Sequence, residues 1–405
     1  MSTSFIYHAF GAHSYDYQST DYKGGAIYVH VHKKPQWRRC VACRSRDVTL
    51  EGQADYTLRA LPVGSKPIFL VLHLHVLRCR RCKQLQQESR DVADPRKSYT
   101  RAFGRLVVDL SPSMTMLAIA RHLRIGWDLV KEIIKTELER RKRRRSWRKV
   151  RRIGIDEIAI RKGHRYMTVV VDMDTGEVLF TAEGRDHESL QPFFARLKKA
   201  GAQLKAIAMD MSAAYLKAVQ LYAPSGAVVI HDHYHVVANM NEVVDEVRRD
   251  EQNKLEGEGK SVIKGSRYLL LGAKEKIEKE PEKQARLDTL LRINETLHKV
   301  YLLKEDLRLF WSQDSKQEAK DFIAEWIATA KSMAHADVTR FAQTVENAVD
   351  RIVAWYDHPI STGPLEGLNN KIKVLKRAAY GYRDMNFFGL RLLFLHETAF
   401  QLSGV

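Results

Sequence analysis

The chain has 405 residues, 44% of them hydrophobic, and carries 67 Lys and Arg against 49 Asp and Glu, a formal charge of +18. That apolar content excludes a disordered chain, and the length allows about two to four domains. The charge excess points to a polyanion, either nucleic acid such as double-stranded DNA or an anionic membrane, the alternative being a basic surface kept for solubility. No apolar run reaches membrane-spanning length, and "MSTSFIYHAF" lacks a basic start followed by an apolar stretch. A cytoplasmic protein with no membrane partner and no disulfides is therefore expected.

The four cysteines fall in two pairs, Cys40 and Cys43 in "CVAC", and Cys79 and Cys82 in "CRRC". Paired C-x-x-C knuckles suit one tetrahedral structural zinc ion, with short strands in the segment between them, a redox pair being the alternative for either motif alone. The alternation in "IFLVLHLHVLRCRRC" predicts a strand running into the second knuckle. His73 and His75 share one face of it and read as strand residues, because four thiolates already complete a zinc shell.

"SPSMTMLAIARHLRIGWDLVKEIIKTELERR" follows. Leu117, Ile119, Ala120 and Leu123 are expected to pack one helix, and Leu129, Val130, Ile133, Ile134 and Leu138 the next, with a turn at Gly126. This pattern fits a helix-turn-helix, or an ordinary helical hairpin. In the first case the second helix enters the major groove, with Trp127, Lys131 and Lys135 on its exposed side. The run "ERRKRRRSWRKVRR" comes next, and its Arg143, Arg144, Arg145, Arg148 and Lys149 are candidate phosphate contacts.

The pattern then changes. Strands are expected at 153–160, 166–172 and 177–182, the last two joined by a turn at "MDTG". Next come a helix in "HESLQPFFARLKKAGA", a strand in "LKAIAMD", a helix in "SAAYLKAVQLYAP" and a buried strand in "GAVVIHDHYHVVANM" running into another. Antiparallel strands followed by alternating helices and strands imply a mixed α/β sheet. From Asn241 to about Tyr356 the sequence reads as helical and charged, an all-helical insertion into the α/β unit.

Three acids occupy telling places: Asp156 within a strand, Asp210 at a strand end and Glu366 at the start of a helix. Each one alone is also what a helix cap or a helix dipole requires. Together they could hold two magnesium ions, since buried carboxylates need a compensating cation. In the last helix, Leu365, Leu368, Ile372 and Leu375 recur at helical spacing as a buried stripe. Glu366, Asn370, Lys373 and Arg377 align on another face, where the acid meets metal and its neighbours meet DNA phosphate. Asp232 and His235 in "HDHYHVVAN" are candidates for orienting metal or water, or a capping Asp beside a core His. Trp311 and Trp326 read as helical core, with contact to an extruded base as the alternative.

The order of zinc knuckles, helix-turn-helix, "GIDE", "MDMSAAY", "HDHYHVVAN" and "EGLNNKIKVLKRAAYGYRD" resembles the ISL-three family of insertion-sequence transposases, from about Cys40 to Leu393. The resemblance implies a multidomain α+β chain with an RNase H-like catalytic domain and an Asp-Asp-Glu triad at Asp156, Asp210 and Glu366. It implies two Mg2+ or Mn2+ ions per active site and one structural Zn2+. The boundaries expected are 1–95 for the zinc ribbon region, 96–145 for the helix-turn-helix, 146–239 and 351–405 for the catalytic domain, and 240–350 for the insertion. Such a protein would bind the terminal inverted repeats of its element, cleave the ends and join the 3′ hydroxyls to target DNA. It would act as a homodimer or larger assembly in a nucleoid-associated location. A junction nuclease on the same fold and a catalytically silent DNA-binding regulator are the rival readings.

Overall fold

The computed structural model describes residues 3–161, 165–256, 260, 262–360, 363–379 and 381–397. The chain divides into two units: Met1–Arg144 with Val374–Arg391 and Glu397–Val405, and Arg145–Lys373 with Leu392–His396.

In the first unit, β1 (Tyr15–Lys23), β2 (Ala26–Lys33), β3 (Val48–Val63), β4 (Lys66–Cys79) and β5 (Leu85–Gln87) form one sheet. Its order is β1-β2-β4-β3, with β5 pairing β4, and only the β2–β4 pair is parallel. Alternate side chains from β2, β3 and β4, among them Val29, Val31, Leu58, Leu70, Leu72 and Leu74, bury one face against Ile6 and Phe10 of α1 (Thr3–Phe10). This sheet is larger than the short strands expected between the knuckles. The 16-residue length of β3 is hidden in the sequence because its first half, "VTLEGQAD", is polar and largely solvent-facing.

The same unit holds α2 (Arg101–Leu110), α3 (Met116–Leu123) and α4 (Trp127–Arg144). Thr100 and Thr115 cap α2 and α3 by accepting the Phe103 and Ala118 N–H groups. The α3–α4 turn differs from expectation in detail: Arg124, not Gly126, takes the left-handed conformation (φ 52°) that closes α3. Ile119, Ala120 and Leu123 are buried as expected, but Leu117 is 49% exposed because it lies off that stripe. On α4 the buried residues are Val130, Ile133, Ile134 and Leu138. Arg59 of β3 joins the sheet to these helices. Its guanidinium lies over the Phe69 and Phe103 rings and donates to the Leu123 carbonyl at 2.9 Å.

In the second unit, β6 (Arg152–Arg161), β7 (Arg165–Asp172), β8 (Val178–Glu183), β9 (Ala206–Met209) and β10 (Val228–His231) make a sheet of order β10-β9-β6-β7-β8. β6, β7 and β8 are antiparallel, while β9 and β10 run parallel to β6. The mixed sheet is the one expected, and Gly176 (φ 73°) closes the "MDTG" turn. α5 (Gln191–Lys199) and α6 (Ala213–Tyr222) cover one face through Phe193, Phe194, Leu197, Tyr215 and Ala218.

One expectation fails after β10. "HYHVVANM" is not a second strand but the start of α7 (His233–Lys254). Asp232 caps it, and Val236, Met240, Val243, Val244 and Val247 recur at helical spacing and are buried. The β-branched pair Val236–Val237 suggested a strand, and the longer period overrides it. A helical segment follows, as the charged helical pattern predicts, running through helices at Pro281–Ile293, Glu295–Leu309, Lys316–Ser332 and Ala336–Glu346 to Val349–Val353. Its core includes Leu297, Val300, Leu307, Ile323, Phe341 and Val345.

Candidate functional site

The register of the second sheet assembles a row of acids. Ile155 pairs with Met209, and Met209 pairs with His231. The next residues along these three parallel strands are Asp156, Asp210 and Asp232. Neighbouring strands lie about 4.8 Å apart, so the three carboxylates share one edge of the sheet. Asp156 and Asp232 are buried, and Asp210 is half-buried.

Each acid is held by local hydrogen bonds. Asp156 Oδ1 accepts the Glu157 N–H at 2.7 Å, and Asp210 Oδ1 accepts the Ser212 N–H at 3.0 Å. Asp232 Oδ1 accepts the Tyr234 N–H at 2.9 Å, so this residue is a helix cap and a member of the row at once. His235 Nε2 lies 3.8 Å from Asp156 Oδ1 and 3.9 Å from Asp232 Oδ2.

The helix Gly363–Ala378 packs on the same side of the sheet. Leu365 lies against Gly154, where an added Cβ would come within 3.2 Å of its Cδ1. Leu365, Leu368, Ile372 and Leu375 are all buried, as the periodicity predicts. Asn369 Nδ2 donates to Asp156 Oδ2 at 2.9 Å. The Glu366 backbone lies one turn before Asn369 in this helix, but its side chain falls outside the described residues. Asn370, Lys373 and Arg377 are exposed.

Burial pushes the Asp210 and Asp232 carboxyls up, and nearby carboxylates push them further. Glu157 is raised as well, chiefly by burial. Several desolvated acids on one edge repel each other, and oxygen donors in that arrangement suit a hard divalent cation. These residues therefore fit the magnesium or manganese the sequence suggests.

In the first unit, the β3–β4 hairpin pairs Val48 with Cys79 and so returns the second knuckle to the first. Cys40, Cys43, Cys79 and Cys82 gather with all four Sγ atoms within 4.8 Å of one another. The Cys40–Cys82 and Cys43–Cys79 sulfurs are 3.5 Å apart. The edge of a tetrahedral zinc–thiolate site is about 3.8 Å, so this group could bind zinc. Backbone N–H groups of Cys43 and Cys82 point at the Cys40 and Cys79 sulfurs. That of Cys43 lowers the Cys40 thiol to about 6. His73 takes no part: it bonds His30 at 2.9 Å and Asp55 at 2.7 Å across the sheet.

The candidate DNA contacts divide into free and engaged groups. Trp127 is 41% exposed at the start of α4, and Arg143 and Arg144 are exposed at its end. Arg148 and Lys149 are exposed too. Lys131 instead pairs with Asp384 at 2.9 Å and sits over the Trp127 and Phe387 rings, while Lys135 lies 3.9 Å from the same acid. Arg145 is not available to phosphate, because it pairs with Glu177 and donates to the Val178 carbonyl at 2.6 Å.

Of the two tryptophans, Trp326 is core: it is 4% exposed and donates Nε1–H to the Leu303 carbonyl at 2.8 Å. This rules out the base-contact alternative for Trp326. Trp311 stacks on His233, with ring centroids 3.9 Å apart. Sequence reasoning missed Asn369. The doubled "NN" one turn after Glu366 was the available signal, since two amides on a basic helix serve neither core nor charge.

Two family profiles match the chain: one described as "Transposase" over residues 153–392, and one as "Helix-turn-helix domain of transposase family ISL3" over 88–137. The transposase of insertion sequence element IS1001 from Bordetella parapertussis is 32% identical over 373 residues, 91% of each chain. That of IS1557 from Mycobacterium tuberculosis is 30% identical over 309 residues, 71% of this chain and 69% of its own. A solved structure, the Drosophila P element transposase strand transfer complex, aligns with 74% of this chain and 92% of its own at 9% identity and a TM-score of 0.38.

Proposed function

The chain belongs to the ISL3 family of insertion-sequence transposases, and on that premise we propose that Asp156, Asp210 and Glu366 form its catalytic triad on an RNase H-like sheet. The observation that carries the reading is the row of acids formed by Asp156 midway along β6 and by the residues just after β9 and β10, with the helix bearing Glu366 docked on it through Asn369. The strand order, three antiparallel strands followed by two parallel to the first, supports it as well.

Two divalent ions, Mg2+ or Mn2+, would be held by these three acids and would supply activation of the attacking oxygen and stabilisation of the leaving one. The chain's own residues do the rest. Asn369 fixes one oxygen of Asp156, and the other, which accepts the Glu157 N–H, keeps a second lone pair for a cation. His235 sits between Asp156 and Asp232 and limits how far they move apart. Asn370, Lys373 and Arg377, exposed along the Glu366 helix, contact backbone phosphates of the strand being cut. Cleavage by water at the element's end and attack by the freed 3′ hydroxyl on target DNA are both in-line displacements at phosphorus, so one site performs both.

Recognition of the terminal repeats falls to α3 and α4, with Trp127 and the cations after it contacting DNA, while the zinc-bound cysteines brace the strands before them. The domain limits follow this division: 1–95, 96–145, 146–239 with 351–405, and 240–350. The two ends of an element must be paired, so the working form is a dimer or larger. Among the described residues no helix is long and apolar enough to cross a membrane, and the DNA substrate places the protein at the bacterial nucleoid. The test is Glu366→Gln in a cleavage assay on a duplex carrying the element's end. Cleavage is lost while end binding persists; a variant that cuts at the wild-type rate would remove Glu366 from the triad.

A further inference from the structure

His231 is 3% exposed at the end of β10 and has no part in the roles above. Its ring bridges two unlike partners. Nδ1 lies 3.1 Å from the Asp210 carbonyl oxygen, and Nε2 lies 3.0 Å from Arg351 Nε. A carbonyl oxygen only accepts and a guanidinium only donates, so the proton must sit on Nδ1 and the lone pair on Nε2. Arg351 thus selects the tautomer that lets His231 donate to the backbone of Asp210.

Arg351 is itself anchored. It belongs to the short helix Val349–Val353 that carries the chain out of the insertion, across the limit at 350, and its terminal nitrogen donates to the Asn347 carbonyl at 2.7 Å. Ala354, just beyond, packs with Ala206, Ala208 and Ile230 on the sheet face that also carries the acids. Asp210 follows the four-residue strand β9 and is otherwise tied down by the Ser212 N–H and by the Asp232 N–H on the Met209 carbonyl. The His231 bridge is the one tie that leads from Asp210 into the insertion among the described contacts of its backbone.

We propose that Arg351 is a positioning residue: acting through His231, it lets the end of the helical insertion set where the Asp210 carboxylate stands. This inference rests on the reading of Asp210 as a metal ligand. Groups hydrogen-bonded directly to a metal ligand typically change metal affinity by about 10–100-fold when lost, and Arg351, acting through His231 and a backbone carbonyl, belongs at the low end of that range.

The test uses the full chain. Arg351→Met keeps the stem and removes the N–H donors, Arg351→Lys keeps a donor, and His231→Asn keeps a donor toward the carbonyl but offers Arg351 no ring nitrogen. Mn2+ affinity is read from the resonance of free Mn2+ during titration, and melting in divalent-free buffer reports the fold. Arg351→Met should weaken Mn2+ binding about tenfold with little change in melting, and Arg351→Lys should recover part of the loss. In single-turnover cleavage the defect should be large at limiting Mn2+ and small at saturation. Arg351→Met in the His231→Asn background should cost nothing further, because both act along one path. Unchanged Mn2+ affinity in folded Arg351→Met, or additive losses in the double variant, overturns the proposal. Should Arg351→Met fail to fold, Arg351→Lys decides by the same affinity reading: a weakened affinity supports the proposal and a wild-type one overturns it. Asp210→Asn separates the two levels. If it binds Mn2+ as the wild type does, the ligand assignment fails; if it alone loses binding, only the role of Arg351 fails.

Discussion

Asp210→Asn should make the protein more stable and less active, and the size of the effect follows from the sheet. The substitution keeps the side chain's shape, and its Oδ1 can still accept the Ser212 N–H. It removes one charge from a row whose members stand on adjacent strands, about 4.8 Å apart. Two unit charges at that spacing repel by about 3.5 kcal/mol at an effective dielectric of about 20. Asp210 is only half-buried, so solvent screening reduces this to about 1–2 kcal/mol. For a unit of this size that is a rise of about 2–8 °C in melting temperature. The sign with pH is fixed by linkage. Burial and neighbouring acids raise Asp210 and Asp232 in the folded state. A carboxyl raised on folding contributes stability below the ordinary carboxylate range and loses it as pH rises through the folded value. The advantage of the variant is therefore largest near neutrality and shrinks as acid protonates the wild-type row. Added Mn2+ reverses the order, because it stabilises only the chain that holds the full ligand set. Thermal melting across pH, with and without Mn2+ and without chelator so that any metal on the four cysteines stays, tests all three points. Melting of Asp210→Asn at or below the wild type in divalent-free buffer would refute the electrostatic reasoning, as would an equal gain from Mn2+ in both proteins.

Two further outcomes are expected. Asp384→Asn releases Lys131 and Lys135 from their shared acid, so DNA affinity should rise and the slope of log affinity against log salt should steepen by about one unit; an unchanged slope in a fluorescence-anisotropy titration would mean α4 does not lie on DNA. Cys79→Ser removes one of four converging thiols, so zinc measured by mass spectrometry of the metal should drop well below one ion per chain and the melting of the first unit should fall; wild-type zinc content would exclude the cluster as a metal site.

How much of this was legible in the sequence depends on how far apart the cooperating residues lie. The four-cysteine cluster was legible because each C-x-x-C spacing is local and two such pairs together have few uses besides a metal site. The buried stripe of the last helix was legible for a similar reason: Leu365, Leu368, Ile372 and Leu375 obey one short period. The start of α7 was misread because "HVVANM" satisfies strand propensity locally, and only the recurrence of Val243, Val244 and Val247 further on discloses a helix. Lys131 and Arg145 showed the limit of charge counting. A basic run states how many cations there are, but Asp384 and Glu177, far off in the chain, decide which of them remain free.

Asp232 lies at the same limit. The motif "HDHYHVVAN" offered it equally as a helix cap or as a group orienting metal or water, and could not decide for a place beside Asp156. That relation comes from register: Ile155, Met209 and His231 stand side by side, so the residue after each must do so too. A strand shifted by one position would turn Asp210 to the opposite face, among Ile207 and Met209 under α5 and α6, and leave its charge without a partner. The cost of burying that charge in an apolar layer therefore helps to fix the register, and the register in turn builds the site. Function and fold favour the same pairing here, because a slip of one position in either pair of these short parallel strands turns a carboxylate into the core.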